Sequence, residues 1–149
     1  MASAEPPTLR TAAAADAQSI HALLERSGLP TGDLGTARPE FIVADDAGQI
    51  VGSGALQRFG KVALLRSVAV EPRRRGTGVG RSIIEELERR ARAAGIDELI
   101  LLTMTARDFF ERLGYHPRSR DRVPPPVLDS AEFRSLCPAS AVCMAKSLR

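Results

Sequence analysis

Residues 62–94 read VALLRSVAVEPRRRGTGVGRSIIEELERRARAA, and three patterns meet in them. Val62–Val70 is an almost continuous apolar run, the pattern of a strand covered on both faces. Glu71–Gly80 is a basic turn rich in glycine. From Thr77 to Ala94, apolar Val79, Ile83, Leu87 and Ala91 recur at helical spacing, which predicts an amphipathic helix. The rest of this helix carries Glu85/Arg89, Glu86/Arg90 and Glu88/Arg92, acid first and four apart, the favourable order. Gly95 is its stop signal. Leu99–Thr103 (LILLT) reads as a second buried strand, parallel to the first because a helix crosses between them.

The flanking chain builds a sheet around this unit. Thr8–Ala12 is a short strand. Ala17, Ile20, Leu23 and Leu24 mark a helix within Ala14–Ser27, closed by Gly28. Leu29–Pro39 is rich in Gly, Pro, Thr and Asp and reads as a loop with room for a helical turn; loops of that length in compact domains are often functional. Phe41–Ala44 and Gln49–Gln57 are strands joined at Asp45–Gly48. Gly52 and Gly54 inside the returning strand predict a bulge or a close backbone approach. Phe59–Lys61 is a further turn. Ala106–Leu113 is a short helix stopped by Gly114, and Tyr115–Pro117 begins a strand. Arg118–Pro126 is irregular, Ser130 caps a helical turn running to Leu136, and Ala141–Leu148 is a closing strand. The order β-α-β-β-β-α-β-α-β-β is mixed α/β: an antiparallel meander, then a parallel crossover.

Composition narrows the function classes. The 149 residues fit one domain spanning 1–149, with residues 1–7 as a flexible tail. Hydrophobic content of 44% with 26% charged residues is that of a soluble globular chain. The net charge of +3 is concentrated in local clusters, Arg73–Arg75 and Arg118, Arg120 and Arg122. That suits an anionic small ligand better than a broad nucleic-acid footprint. Aromatic content of 4% argues against a base-stacking platform. Cys137 and Cys143 form no CxxC pair, and His21 and His116 stand apart, so no metal is expected. Two thiols, no leader pattern and no long apolar stretch predict a reduced, cytoplasmic protein without a membrane span.

The turn at Arg75-Gly76-Thr77-Gly78-Val79-Gly80, followed by Arg81, has the logic of an anion site. A helix start leaves N–H groups unpaired and carries partial positive charge. Glycines let a phosphate approach the backbone, and arginines add forked donors. A P-loop is a poor match: its first glycine would fall on Arg75, and Arg81 stands for its lysine. The dinucleotide fingerprint fits Gly76 and Gly78 but meets Arg81 where a third glycine is needed. The pattern [Q/R]xxGx[G/A] fits in two registers, Arg75xxGly78xGly80 and Arg73xxGly76xGly78. The plain alternative is a solvated basic turn ahead of a surface helix.

Val68 to Leu87, VAVEPRRRGTGVGRSIIEEL, resembles the cofactor motif of the GCN5-related N-acetyltransferase (GNAT) superfamily, and ARDFFERLGY resembles its FYxxLGF segment about 25 residues further on. The resemblance implies a GNAT-like mixed sheet of six to seven strands with a central bulged strand, a parallel crossover helix and helices on both faces. It implies acetyl-CoA as cosubstrate, no metal, and a small-molecule amine as acceptor. Backbone groups of Val68, Ala69 and Val70 would take the pantetheine arm. Arg75, Gly76, Thr77, Gly78, Val79, Gly80 and Arg81 would hold the pyrophosphate, with Arg73 or Arg74 reaching the 3′-phosphate. The reaction implied is direct attack of an amine on the thioester. A homodimer is common in such a family, and no exposed apolar stripe here compels one.

Two departures stand out. The family's acid tyrosine falls on Phe110, and Tyr115 replaces a packing phenylalanine. The central strand offers no carboxylate base; its polar residues are Arg66 and Ser67, which are the catalytic candidates. Arg66 reads equally as a clamp for an anionic substrate group, with Thr103 and Thr105 beside it, or as half of an internal ion pair with Glu40 or Glu132. Asp108 reads as a helix-dipole partner. LLRSVAV, LLTMTARDFFERLGY and EFRSLCPASAVCMAKSL further resemble small N-acetyltransferases found with bacterial arsenic-resistance genes, which implies an amino-acid-like or arsenic-containing acceptor. The alternative function is a non-catalytic acyl-CoA-binding or regulatory domain.

Overall fold

The computed structural model describes residues 6–137 and 139–149. Seven strands form one sheet in the order β1-β2-β3-β4-β5-β7-β6. They are β1 (Thr8–Thr11), β2 (Glu40–Asp46), β3 (Gln49–Phe59), β4 (Val62–Val70), β5 (Glu98–Thr103), β6 (His116–Pro117) and β7 (Val142–Ser147). The helices are α1 (Ala17–Arg26), α2 (Leu34–Ala37), α3 (Val79–Ala93), α4 (Arg107–Arg112) and α5 (Pro125–Leu128). β1 to β4 are antiparallel neighbours; β4 and β5 are parallel, with α3 as the crossover; β7 returns antiparallel to β5. The fold is the mixed α/β sheet with a meander and a crossover that the patterning predicts. Residues 1–5 of the expected tail lie outside the described residues.

Local differences have local causes. α3 begins at Val79 rather than Thr77, because Gly78 at its N-cap takes a left-handed φ of 90°. Ser130 does not cap a helix: its hydroxyl donates to the Val127 carbonyl at 2.6 Å, and the following turn, Glu132–Leu136, is of π type. The segment 118–126 is not wholly irregular. It holds a 3₁₀ turn at Arg120–Arg122 and the start of α5, whose first position takes Pro125, a residue suited to an N–H that needs no acceptor. The Glu88/Arg92 pair does not form. Glu88 is buried and instead accepts from Lys146 Nζ at 3.0 Å and from the Tyr115 hydroxyl at 2.8 Å.

The two faces of the sheet are covered differently. On one, Val79, Ile83, Ile84, Leu87 and Ala91 of α3 pack on Ala63 and Leu65 of β4, on Leu99 and Leu101 of β5, and on Phe110 and Tyr115. Each fully buried aliphatic here stabilises the fold by about 1.5–3 kcal/mol. α3 lies close because β3 presents glycines: a Cβ on Gly52 would sit 2.8 Å from Ile83 Cδ1, and one on Gly54 2.6 Å from Ile83 Cγ2 and 2.8 Å from Leu87 Cδ1. The opposite face carries two separate apolar clusters. α1 and Leu34 cover Val43 and Ala69; Val123, Val127 and Phe133 cover Leu64, Ile100 and Cys143.

Arg66 fills the seam between those two clusters. Its side chain has 0% exposure, and its guanidinium makes two bonds of 2.6 Å to both oxygens of Asp33, just ahead of α2. Glu132, from the π turn, stands 3.7 Å from Arg66 Nε. Gln57 Oε1 accepts from Nη1 at 3.0 Å, and Ser67 Oγ from Nε at 3.3 Å. Two carboxyl groups therefore share one guanidinium. Burial pushes Glu132 up to about 7, the charge of Arg66 opposing the rise and that of Asp33 adding to it.

Two predictions follow from this packing. Gly54→Ala forces Ile83 and Leu87 aside and should destabilise the fold by about 1–3 kcal/mol, read as a lower urea midpoint at unchanged m-value. Because Glu132 holds its proton more tightly folded than unfolded, its contribution is full below the ordinary carboxylate range. It is lost as pH rises from about 4.5 through about 7. The loss amounts to roughly 3 kcal/mol. Glu132→Gln should remove it, so that the melting temperature between pH 5 and pH 8 falls less in the variant than in the wild type.

Candidate functional site

The site is built where β4 and β5 part. They pair only over Val62–Leu64 with Glu98–Ile100. Beyond Leu64 the β4 edge that faces β5 runs on without a strand beside it, while β5 stays paired to β7 through Thr103. A bulge accompanies the parting. Ala55 pairs with Arg66 and Ser53 with Ala69, so Ser67 and Val68 together oppose Gly54 alone. Ser67 takes φ 57°, a left-handed value uncommon for a residue with a side chain. The Ser53 hydroxyl donates to its carbonyl at 2.9 Å and holds the kink. The extra residue also shifts the alternation: Ala63 and Leu65 face α3 before the bulge, Val68 and Val70 after it.

The glycine-rich turn lies at the same end of the sheet. Gly76 and Gly78 both have positive φ, 78° and 90°, with open space where a Cβ would stand. Gly80 is the contact point: a Cβ there would lie 3.5 Å from Val70 and 3.4 Å from Phe109, so β4, α3 and α4 converge on it. Val79 is buried, whereas Arg75, Gly76, Thr77, Gly78 and Arg81 are exposed. Arg74 pairs with Asp46 of the β2–β3 hairpin and Arg81 with Glu85 at 3.7 Å. The first-turn amides of α3 have no intrahelical acceptor and point past its start, so the arrangement can take an anion on main-chain N–H groups with arginines around it.

Other candidates are placed as follows. Thr103 Oγ1 accepts from the Ala106 N–H at 3.0 Å and so sets up the entry to α4. Thr105 is exposed. Phe110 is buried and packs edge-on against Tyr115, with ring centroids 5.6 Å apart. Tyr115 has 0% exposure, and burial, reinforced by Glu88, drives its hydroxyl well above the ordinary phenol range. It is a structural residue of the Glu88–Lys146 network, not a proton donor at the parted strands. Burial, with the charge of Glu132, pushes the Cys137 thiol up to about 11, which removes it as a nucleophile near neutrality. Asp108 is in the first turn of α4, as a dipole partner would be.

Arg66 takes the second of its two readings, the internal ion pair. Its principal partner is Asp33, which sequence reasoning did not single out; of the two acids it did name, Glu132 is present and Glu40 is engaged with Arg58 at 2.6 Å. The sequence hinted at Asp33 only as an acid in the Gly-, Pro-, Thr- and Asp-rich loop Leu29–Pro39, within GLPTGDL (28–34), which weakly resembles the same acetyltransferases found with arsenic-resistance genes. No pattern spans the gap between that loop and β4. Among the described residues, no cluster of three or more His, Cys, Asp or Glu is placed to hold a metal, and no helix is long and apolar enough to cross a membrane.

Comparison with known proteins agrees with this geometry. Residues 37–117 match the family model described as the acetyltransferase (GNAT) domain. An uncharacterised N-acetyltransferase of Chlorobaculum tepidum is 31% identical over 70% of this chain and 65% of its own length. An amino-acid acetyltransferase of Pseudomonas syringae pv. syringae is 37% identical over 57% of this chain. The match takes in 20% of that protein, so the chain spans less than two thirds of either relative, just under in the first and far under in the second. A Mycobacterium tuberculosis protein solved in complex with CoA and NLQ superposes with a TM-score of 0.82 at 28% identity, covering 96% of this chain and 100% of the other. With more than half of its residues in the family model and the parted, bulged sheet to go with it, the chain belongs to the GNAT acetyltransferase family.

Proposed function

We propose that this chain is an acetyl-CoA-dependent N-acetyltransferase acting on the amine of a small, amino-acid-like acceptor. The observation that carries the reading is a coincidence at one end of the sheet: an open β4 edge, a bulge at Ser67, and a glycine-rich helix start converging on Gly80. The donor set fits the cosubstrate. A pyrophosphate needs closely approachable N–H groups, which Gly76, Gly78, Val79, Gly80 and Arg81 offer. An amide-containing arm needs main-chain partners, which the open edge at Val68, Ala69 and Val70 offers. Arg73 and Arg75, both exposed, add positive charge beside the turn. Acetyl-CoA, when bound, supplies the activated acetyl group as a thioester.

The chain's own residues would then orient and stabilise. An N–H group that the bulge takes out of the β3 ladder would meet charge developing on the acetyl oxygen. The acceptor must come from the face opposite α3, because the helix start and the turn take the other side. The protein provides no tyrosine hydroxyl for the leaving thiolate, since Phe110 stands in that position and Tyr115 is committed to Glu88. A thiolate is a good enough leaving group for water to serve. The same observation favours a second reading, a non-catalytic acyl-CoA-binding or regulatory domain. The amino-acid acetyltransferase relative supports an amino-acid-like acceptor; the likeness to arsenic-resistance acetyltransferases adds arsenical amino acids to those worth testing. Both cysteines are free, which supports a reducing, cytoplasmic setting.

Gly78→Asp places a carboxylate at the turn, in open space and with a residue that tolerates left-handed φ. Titration calorimetry should show acetyl-CoA affinity lowered at least about tenfold, with the melting temperature lowered by only the few degrees that a side chain at φ 90° costs. A thiol-release assay over amino acids, arsenical amino acids and polyamines should find turnover on at least one amine; tight CoA binding with no turnover selects the non-catalytic reading. Tyr115→Phe should leave that turnover within about twofold while costing about 1–2 kcal/mol of stability from the buried hydrogen bond lost to Glu88, which keeps Lys146.

A further inference from the structure

We propose that Asp33 is a positioning residue, which acts through Arg66 on the β4 bulge and so couples the acceptor-side loop to cofactor binding; the inference rests on the acetyl-CoA reading above. The contacts form an unbroken chain. Both Asp33 oxygens hold the Arg66 guanidinium at 2.6 Å. Arg66 Nε donates to Ser67 Oγ at 3.3 Å. Ser67 is the residue with left-handed φ at the bulge, and its carbonyl accepts from Ser53 at 2.9 Å. At the other end, the Asp33 carbonyl accepts from Ala37 N–H at 2.8 Å and Thr36 N–H at 3.1 Å, so the same residue anchors α2. One side chain thus ties the 29–38 segment to the backbone that the cosubstrate's arm would meet.

The chemistry at this seam suits a coupling role better than a purely cohesive one. Apolar side chains of similar volume would hold the two clusters together at least as well, since a buried ion pair seldom stabilises more than its hydrophobic replacement. A bidentate pair adds direction: it fixes the guanidinium plane, and with it the Nε–H aimed at Ser67. For coupling, Ser67 would exchange between two arrangements, kinked as here or relaxed into the ladder. A ligand that favours the kink shifts the population of everything bonded to it. By linkage, ordering of the 29–38 loop strengthens cofactor binding by the same factor.

Hydrogen exchange with and without acetyl-CoA tests the coupling, with binding followed by calorimetry. In the wild type, acetyl-CoA should slow amide exchange across 29–38 by about fivefold or more, although α2 lies on the face opposite α3. Asp33→Asn should abolish that slowing and weaken acetyl-CoA about fivefold. Ser67→Ala, which leaves the Asp33–Arg66 pair whole, should abolish it too while melting within a few degrees of the wild type. Wild-type binding with unchanged exchange in 29–38 would overturn the coupling alone. Slowing that persists in Ser67→Ala would overturn the route through the bulge. Absence of acetyl-CoA binding to the wild type would overturn the functional reading and the coupling together.

Discussion

A guanidinium with no exposure to water must find all its partners inside the protein, and Arg66 sets that condition for this fold. The isolated charge would cost several kcal/mol. Its partners come from far along the chain: Asp33 from the loop before α2, Glu132 from the turn after α5, Gln57 from β3. Satisfying one residue on the central strand therefore brings together the two halves of the face opposite α3. The buried apolar residues of that face fall into two separate clusters. The ion pair is expensive as cohesion and effective as a locator, since it is met at only one position and orientation of each loop.

The bulge one residue on makes the same strand serve two purposes. Up to Leu64 β4 is core, covered on both faces and paired on both edges. Beyond Leu64 one edge is open, and after Ser67 the side-chain phase is shifted as well. Gly54 of β3 stands opposite the bulge, and there α3 presses so close that no side chain fits. A tight helix–sheet contact and a kinked strand thus meet at one position, next to the accessible backbone edge. The turn that follows needs the opposite property of glycine, left-handed φ in open space, and Gly76 and Gly78 provide it.

Much of this was legible in the sequence because it is periodic or local. The α3 stripe of Val79, Ile83, Leu87 and Ala91, the apolar run of β4 and the crossover to β5 all follow from spacing, and the turn chemistry of Arg75–Arg81 is contiguous. The strand glycines announced a bulge or a close approach, and the structure has both. What escaped is long-range pairing. Glu88 looked like one of three equivalent surface acids on α3, yet it is buried against Tyr115 and Lys146, and Lys146 is 58 positions away. Asp33 is 33 positions from Arg66. Helical spacing ranks the pairs within an element, but it cannot see a better partner supplied by another strand, and burial then decides.

If the proposed reading holds, the charges at the two sides of the parted strands would let one end of the sheet serve two ligands of different character. On the α3 side the turn leaves Arg73 and Arg75 exposed beside unpaired helix amides, a field that draws a polyanion. On the opposite side Arg66 is matched by Asp33 and faced by Glu132, so it contributes no net attraction for phosphate. Were Arg66 unpaired, the bulge would lie between two cationic surfaces, and an ammonium approaching the thioester would be repelled from both. On the proposed reading, neutralising it from within would separate the polyanion's side from the amine's, one residue before the strand changes phase.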